Sequence, residues 1–181
     1  MVNKAIIVCD HGMGHLRRCA LMAKKMQLEG DDVTLYAPAV SMQRLTKVLP
    51  QVNDLKVIDF STYTVPERIN DKHLSSLSSL DRLANLGCYD EVISDNVIEV
   101  LEIRPDAVIS ANFFWHDVLK DASPEYVNYC NKLLAARKPT VLGSSMFAMP
   151  LVQAQPNFKS VGLFANPYLK EANQTVPGVV Q

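Results

Sequence analysis

The first strand-and-helix unit of the chain constrains the fold more than any other feature. Residues 4–9 (KAIIVC) form a continuous apolar run of strand length, which is typical of a strand that is covered on both faces of a parallel sheet. Residues 10–14 (DHGMG) interrupt the run, and residues 15–28 then follow a helical pattern. A second apolar run at residues 33–36 completes a β-α-β unit, and we expect its crossover to be right-handed.

The same alternation of short apolar runs and helical stretches continues along the chain. Further strands are predicted at residues 55–58, 91–94, 107–110, 140–143 and 160–163, and helices at residues 40–48, 74–86, 97–103, 115–121 and 124–137. Asp95 and Asn96 are expected to cap the helix at 97–103, and Ser123 with Pro124 marks the start of the last helix. The alternation predicts an α/β, Rossmann-like, doubly wound and mostly parallel sheet of six or seven strands.

Composition excludes several classes of protein. The chain has 181 residues, which suits one domain, and 18 basic against 19 acidic residues give a net charge of −1. This balance argues against a bulk electrostatic surface for nucleic acid. No apolar run reaches the roughly 18 residues of a transmembrane helix. The four cysteines are scattered without a C-x-x-C pair, which disfavours a zinc site or a disulfide framework and predicts a reducing, cytoplasmic location.

Polar residues follow several of the predicted strands. Doubly wound sheets bind ligands at the carboxyl ends of their strands, so these positions form the candidate ligand site. They are Asp10, Gly12, Gly14, Asp95, Asn96, Asn112, Trp115, His116 and Ser144. Turns and caps prefer the same residue types, and for the later positions that alternative stays open. Trp115 and His116 could form a platform for a sugar, whereas Phe113 and Phe114 are predicted to be core, because three adjacent bulky side chains cannot all face a cleft.

The glycine loop after the first strand is the most specific motif. Gly12 and Gly14 let the backbone approach a ligand closely, and the helix start beyond them can receive an anionic group. Ordinary NAD or FAD binding is disfavoured, because Arg17 stands where the dinucleotide fingerprint needs a third glycine. Arg17 either helps to hold an anionic ligand or lies on the helix surface, and both alternatives stay open.

The segment from Cys9 to Met26, followed by residues 33–36, resembles the N-terminal domain of GT-B glycosyltransferases that carry a G-x-G-H-x-x-R loop. It also resembles the related nucleotide-sugar hydrolase of pseudaminic acid synthesis. Residues 92–96 and 105–117 resemble strand ends of the same domain. The resemblance implies two Rossmann-like domains across a cleft, with the acceptor held mostly by the first and the sugar nucleotide by the second.

The resemblance also implies roles for particular residues. In inverting members a histidine after the first strand removes the acceptor proton, and His15 lies at that place. Neutral imidazole can take a hydroxyl proton near neutral pH. Asp95 is the first candidate to orient His15, and Asp10 is the second. No metal and no cofactor are expected, because helix ends and basic groups neutralise the leaving diphosphate in such enzymes.

Residues 1–181 are therefore expected to form a single Rossmann-like N-terminal domain, with the C-terminal nucleotide-sugar-binding domain absent from this chain. The expected function is the acceptor-binding half of a glycosyltransferase, which transfers a sugar from a nucleotide sugar to a hydroxyl of a sugar or glycan acceptor. A second domain or a partner chain would supply the nucleotide sugar, and the isolated chain would be inactive without it. Two alternatives stay open: a nucleotide-sugar hydrolase or epimerase on the same scaffold, and a non-catalytic binding or assembly module. No nucleic-acid partner is expected, and peripheral membrane association stays open.

Overall fold

The computed structural model describes residues 1–9, 12–60, 85–120 and 122–162. The helix predicted at residues 74–86 lies almost entirely outside these ranges. Within them, no helix combines the length and the hydropathy that are needed to cross a bilayer.

Strands and helices alternate along the described ranges. The strands are β1 (Asn3–Ile7), β2 (Asp32–Ala37), β3 (Lys56–Asp59), β4 (Glu91–Asp95), β5 (Val108–Ser110), β6 (Val141–Gly143) and β7 (Phe158–Ser160). The α-helices are α1 (Gly12–Leu28), α2 (Ala39–Val48), α3 (Val100–Ile103), α4 (Trp115–Val118), α5 (Pro124–Arg137) and α6 (Pro150–Gln153). Short 3₁₀ turns lie at Pro50–Val52 and Leu86–Cys88.

The seven strands form one sheet in the order β3-β2-β1-β4-β5-β6-β7, and every pair in it is parallel. This confirms the predicted Rossmann-like α/β class and the position of β1 beside β2. Ile6 of β1 lies opposite Leu35 of β2 and Ile93 of β4, which fixes the register on both sides of the central strand.

The continuous apolar run of the first strand is explained by burial on both faces. Ala5 and Ile7 belong to one hydrophobic cluster, whereas Ile6 and Val8 belong to the other, and all four are fully buried. Side chains alternate between the faces of a strand, so each face of β1 supplies one core. Helices α1 and α2 cover one face of the sheet and α5 covers the other.

Helix α1 begins earlier than the sequence pattern predicts. It starts at Gly12 instead of His15, so the glycine loop is partly absorbed into its first turn. Gly12 has φ +77°, a backbone conformation that L side chains rarely adopt. Gly30, with φ +98°, follows the helix as the sequence predicts for a C-terminal glycine.

The end of β4 differs from the prediction. The helix expected at 97–103 is reduced to α3, which begins at Val100, and no side chain caps it. Asn96 therefore does not serve as the cap, and it lies in the left-handed region with φ 58°. By contrast, Ser123 caps α5 as predicted, because its Oγ accepts a hydrogen bond from the backbone N–H of Tyr126 at 3.2 Å. Strand β7 lies two residues earlier than predicted, at 158–160.

The direction in which successive strands are added reverses between β1 and β4. From β1 the chain continues to β2 and β3 on one side, while β4 to β7 extend on the other side. At such a reversal the two flanking connections leave the sheet in opposite directions and open a crevice outside the carboxyl ends of the strands. The carboxyl ends of β1 and β4 are therefore where the fold favours a ligand.

Candidate functional site at the carboxyl ends of β1 and β4

Asp95, the last residue of β4, is the centre of the site. Its side chain is fully buried, and both of its carboxylate oxygens accept hydrogen bonds from other side chains. Oδ2 accepts a hydrogen bond from His15 Nδ1 at 2.8 Å and a longer one from Cys9 Sγ at 3.5 Å. Oδ1 accepts from the guanidinium of Arg18. The structure thus brings together His15 and Asp95, which the sequence analysis selected as a pair.

The hydrogen bond to Asp95 determines which nitrogen of His15 faces a ligand. His15 lies in the first turn of α1, and its side chain is 18% exposed. An ionised carboxylate only accepts hydrogen bonds, so Nδ1 carries a proton, and in the neutral imidazole Nε2 keeps its lone pair. A neutral imidazole in this tautomer is a proton acceptor at Nε2.

Arg18 is a residue of this candidate site that was not predicted from the sequence. Its guanidinium forms an ion pair with Asp95 and is three-quarters buried. Burial opposes the charge of the guanidinium, but attractive interactions, the strongest of them with the carboxylate of Asp95, together raise the pKa of Arg18. Arg17, the arginine predicted from the sequence, is instead exposed on α1. The motif's own spacing would have identified the right residue, because the arginine of H-x-x-R, counted from His15, is Arg18.

A cavity of about 200 Å³ lies beside the His15–Asp95 pair. The residues that line it are Gly14, His15, Arg18, Asn96, Ala111, Asn112 and Phe113. The prediction that Phe113 is a core residue is wrong: it is only half-buried, and its ring lies edge-on to His15 with the centroids 6.1 Å apart. One of the two bulky neighbours of Trp115 therefore faces the cavity, while Phe114 is buried as predicted.

Trp115 and Asn112 lie beside the cavity in different ways. The indole of Trp115 is 5.8 Å from the His15 ring and 4.7 Å, edge-on, from the Phe113 ring, measured between centroids. Asn112 lines the cavity, and its Oδ1 accepts a hydrogen bond from the backbone N–H of Ser144 at 2.8 Å. Ser144 is buried and its Oγ accepts from the N–H of Met146, so its side chain shapes the loop after β6.

His116 lies away from this cavity. It is buried, its ring stacks on Phe114 with the centroids 5.5 Å apart, and it lies edge-on to Tyr126 of α5. Burial lowers the pKa of His116. The expectation that His116 faces a ligand at the strand ends is therefore not met, because the α4 turn directs its side chain into the core.

A second cavity of about 190 Å³ lies on the other side of the start of α1. It is lined by Val8, Cys9, Gly12, Met13, Leu16, Pro38, Ser41 and Arg44. The two glycines of the loop therefore line different cavities: Gly14 lines the first cavity and Gly12 lines the second. Asp10, the second candidate to orient His15, lies outside the described residues.

One group of side chains among the described residues could hold a metal ion. The ligand atoms of Cys9, His15 and Asp95 all lie within 4.8 Å of one another. Sulfur, nitrogen and carboxylate oxygen are donors that zinc accepts. However, the guanidinium of Arg18 already neutralises the carboxylate, and its charge would repel a cation placed a few ångströms away. We therefore assign no metal to this site.

Two solved structures match nearly the whole length of this chain. The sequence matches no protein-family model and no curated protein. Among solved structures, UGT73P12 of Glycyrrhiza uralensis, complexed with glycyrrhetinic acid 3-O-monoglucuronide, matches 90% of this chain with a TM-score of 0.54 and 11% identity. UGT89C1 of Arabidopsis thaliana, complexed with UDP-L-rhamnose, matches 98% of it with a TM-score of 0.50 and 14% identity.

The seven-stranded Rossmann-like sheet of this chain is similar in fold to part of these plant UDP-glycosyltransferases, which are GT-B proteins. The chain covers 49% and 57% of the two matched chains, so it spans about half of their length. At these identities the likeness extends to the fold and not to individual side chains. The His15–Asp95 pair and the cavity beside it therefore stand on the geometry of this chain alone.

Proposed function

We propose that this chain is the acceptor-binding half of a GT-B glycosyltransferase, and that His15 removes a proton from the acceptor hydroxyl. The observation that carries the proposal is the 2.8 Å hydrogen bond between His15 Nδ1 and the buried carboxylate of Asp95. This pair lies where the fold favours a ligand, beside a cavity of about 200 Å³. The GT-B fold supports glycosyl transfer as the reaction class.

The geometry suits general base catalysis. Asp95 accepts a hydrogen bond from the N–H at Nδ1, which leaves Nε2 of neutral His15 to take the proton of an acceptor hydroxyl. As this proton moves, the hydroxyl oxygen attacks the anomeric carbon of the sugar nucleotide, and the bond from that carbon to the diphosphate oxygen breaks. Asp95 stabilises the imidazolium that forms, and such a base contributes roughly 10²- to 10⁴-fold in rate.

Arg18 is a positioning residue in this scheme. It holds Oδ1 of Asp95, so Oδ2 stays directed at His15. A carboxylate that is fully buried needs a compensating charge, because its desolvation would otherwise favour the protonated form. Arg18 supplies this charge through its ion pair with Oδ1, while Oδ2 accepts the hydrogen bond from His15 Nδ1.

The acceptor is proposed to occupy the cavity beside His15. Gly14, Asn96, Asn112 and Phe113 line this cavity and supply close backbone approach, amide hydrogen bonds and an aromatic wall. Trp115 packs against Phe113 and extends the aromatic surface behind it. A group with hydroxyls on its edges and a flat apolar face, such as a sugar ring, fits this lining.

The nucleotide sugar is proposed to be held by a second domain or by a partner chain. The matched proteins are about twice as long as this chain, and the Arabidopsis protein is complexed with UDP-L-rhamnose. On this proposal the isolated chain is inactive, because it holds the acceptor and the base but not the donor. Arg17, which is exposed beside the cavity-lining turn of α1, stays available for an anionic ligand.

The test is turnover of the enzyme in which this chain is combined with its donor-binding half. We expect His15→Ala to lower kcat by about 100-fold or more. Asp95→Asn should also lower kcat, because an amide can favour the wrong tautomer of His15. His116→Gln is the control, since this buried ring lies outside the cavity, and its turnover should follow only the fraction of folded protein.

A stable His15→Ala protein with normal turnover would remove the base from the mechanism. The same assay separates a hydrolase from a transferase, because the His15–Asp95 pair could activate water in the same way. Release of free sugar from the nucleotide sugar at an equal rate with and without acceptor would identify the hydrolase.

A further inference from the structure

Asn96 is held in an unusual conformation beside the His15–Asp95 pair. It follows Asp95 directly and has φ 58°, one of two positive φ values among the non-glycine residues that the structure describes. Its backbone N–H lies between two strands and donates to the carbonyls of Ser94 at 3.2 Å and Ser110 at 3.1 Å. Positive φ is uncommon for non-glycine residues, although Asn tolerates it better than most, and residues held there concentrate at ligand sites.

The side chain of Asn96 is only half satisfied. Nδ2 donates to the carbonyl of Phe113 at 2.8 Å, which fixes the orientation of the amide group. Oδ1 has no hydrogen-bond partner among the described residues, although Asn96 is only 3% exposed. A buried acceptor without a donor is costly and rare, so an unpaired Oδ1 on a residue that lines the cavity points to a donor that a ligand brings.

Two acceptor atoms thus belong to residues of one cavity: Nε2 of His15 and Oδ1 of Asn96. We propose that the acceptor carries a second hydroxyl next to the reacting one, and that this second hydroxyl donates to Oδ1 of Asn96. The inference rests on the proposed function, since it takes the cavity as the acceptor site. It makes Asn96 the residue that selects vicinal diols over acceptors with a single hydroxyl.

The size of the cavity limits what this diol can be. About 200 Å³ is less than the roughly 300 Å³ at which pockets for drug-sized molecules begin, so the cavity takes a single ring. Phe113 supplies an apolar wall, and Asn112 and Arg18 supply further N–H groups. A polyhydroxylated six-membered ring fits this size, the apolar wall and the N–H groups. The reacting end of the acceptor is therefore inferred to be a carbohydrate and not a monophenol.

The test uses two probes that differ by one hydroxyl, trans-1,2-cyclohexanediol and cyclohexanol. Each is titrated into the ¹⁵N-labelled chain, and the shifts of backbone amides around the cavity give the two Kd values. We expect the wild-type chain to bind the diol about tenfold more tightly than the mono-ol, because the mono-ol leaves Oδ1 of Asn96 unpaired. Neither sugar nucleotide nor turnover enters this measurement.

Two variants separate a ligand contact from a structural role. Asn96→Gly and Asn96→Asp both lose the Nδ2 bond to Phe113, and both residue types tolerate positive φ. Only Asn96→Asp keeps an acceptor oxygen. The preference for the diol should therefore disappear in Asn96→Gly and persist in Asn96→Asp, with circular dichroism confirming that both variants are folded.

Equal Kd values for the two probes in the wild-type chain, including no detectable binding of either, overturn the proposal. A preference that survives in Asn96→Gly overturns it as well. Failure of the proposed function gives a different result: normal turnover in His15→Ala would remove the base but leave the diol preference of the cavity unchanged.

Discussion

Asp95 carries a charge in a place where water cannot reach it. Three side chains compensate for the lost hydration: Arg18 by an ion pair, and His15 and Cys9 by hydrogen bonds. Removing one partner lowers the free energy of unfolding by more than the whole arrangement contributes to it. The reason is that the remaining partner stays buried without its counterpart. The residues around Asp95 are therefore tied to stability as well as to the proposed chemistry.

Neighbouring arginines in α1 offer a direct test of this compensation. Replacing Arg18 by Gln leaves Oδ1 of Asp95 without a charged partner, and we expect the free energy of unfolding to fall by about 1–3 kcal/mol. Arg17→Gln is the matched control, since Arg17 is exposed, and its effect should stay within about 0.5 kcal/mol. Urea denaturation of both variants measures the difference, and equal midpoints would contradict the role of Arg18.

His116 makes stability depend on pH. Burial lowers the pKa of His116 below its ordinary value of 6.5, so the unfolded chain binds a proton that the folded chain rejects. The stabilisation is complete above pH of about 6.5 and is lost as the pH falls towards the lowered pKa. His116→Gln should reduce the acid-side slope of the unfolding free energy, by up to about 1.4 kcal/mol per pH unit. Urea denaturation between pH 5 and 8 tests this, and an unchanged slope would refute it.

At the scale of elements, the site depends on how closely the strand ends approach one another. The carboxyl ends of β1 and β4 bring Cys9 and Asp95 into contact, and the first turn of α1 places His15 and Arg18 against the same carboxylate. A bond from the N–H of Ser144 to Asn112 ties the loop after β6 to the loop after β5. The cavity is therefore lined by three connections that come from distant parts of the sequence, and the loop after β6 is tied to one of them through Asn112.

Gly143 at the end of β6 shows how little space this packing leaves. A Cβ at this position would lie 2.6 Å from the carbonyl oxygen of Ala111 and 3.0 Å from the ring of Phe158. The carbonyl belongs to the neighbouring strand connection and cannot move cheaply, so Gly143→Ala should destabilise the fold by about 1–3 kcal/mol. Gly162→Ala is the control, because a Cβ there meets open space. Thermal melts of the two variants should differ by several degrees, and similar melting temperatures would show that the sheet can adjust.

An exposed apolar segment follows β6 at the same edge of the sheet. Met146, Phe147, Met149 and Leu151 are all exposed, with Met146 reaching 77%. The backbone of this segment is nonetheless fixed, since the N–H groups of Phe147 and Ala148 donate to the carbonyl of Ser144. These side chains therefore contribute little to the core of this chain.

At the scale of the whole molecule, the sheet order decides where ligands can enter. The reversal between β1 and β4 places the crevice beside the His15–Asp95 pair. The chain covers about half of each GT-B protein that it matches. In the proposed function, this chain holds the acceptor, and the nucleotide sugar is held outside this chain.

The isolated chain should therefore bind nucleotide sugars weakly. Calorimetry with common uridine and cytidine sugar nucleotides is expected to give no micromolar binding, because the diphosphate and the base lack their proposed contacts. A Kd near 1 μM, equivalent to about −8.2 kcal/mol, would show that this chain carries a donor site of its own. Asp95→Asn should leave this weak binding unchanged, since Asp95 is fully buried.

The sequence by itself determined the fold class and the central unit. The apolar run at residues 4–9 predicts a strand buried on both faces, and β1 supplies both hydrophobic clusters. Short sequence motifs were sufficient for features that depend only on neighbouring residues. Examples are the Ser123 cap of α5 and the positive φ of Gly30 after α1. His15 and Asp95 were also selected as a pair, although no motif predicts their contact across 80 positions of sequence.

Only the tertiary structure decided which neighbours of these residues face the cavity. A helix advances about 100° per residue, so moving from Arg17 to Arg18 exchanges an exposed side chain for the partner of Asp95. Likewise, the backbone before and within α4 leaves Phe113 half-buried beside the cavity and buries His116, whereas residue type favoured the reverse. The unpaired oxygen of Asn96 cannot be read from the sequence either, because it depends on the donors that three separate connections bring to one place.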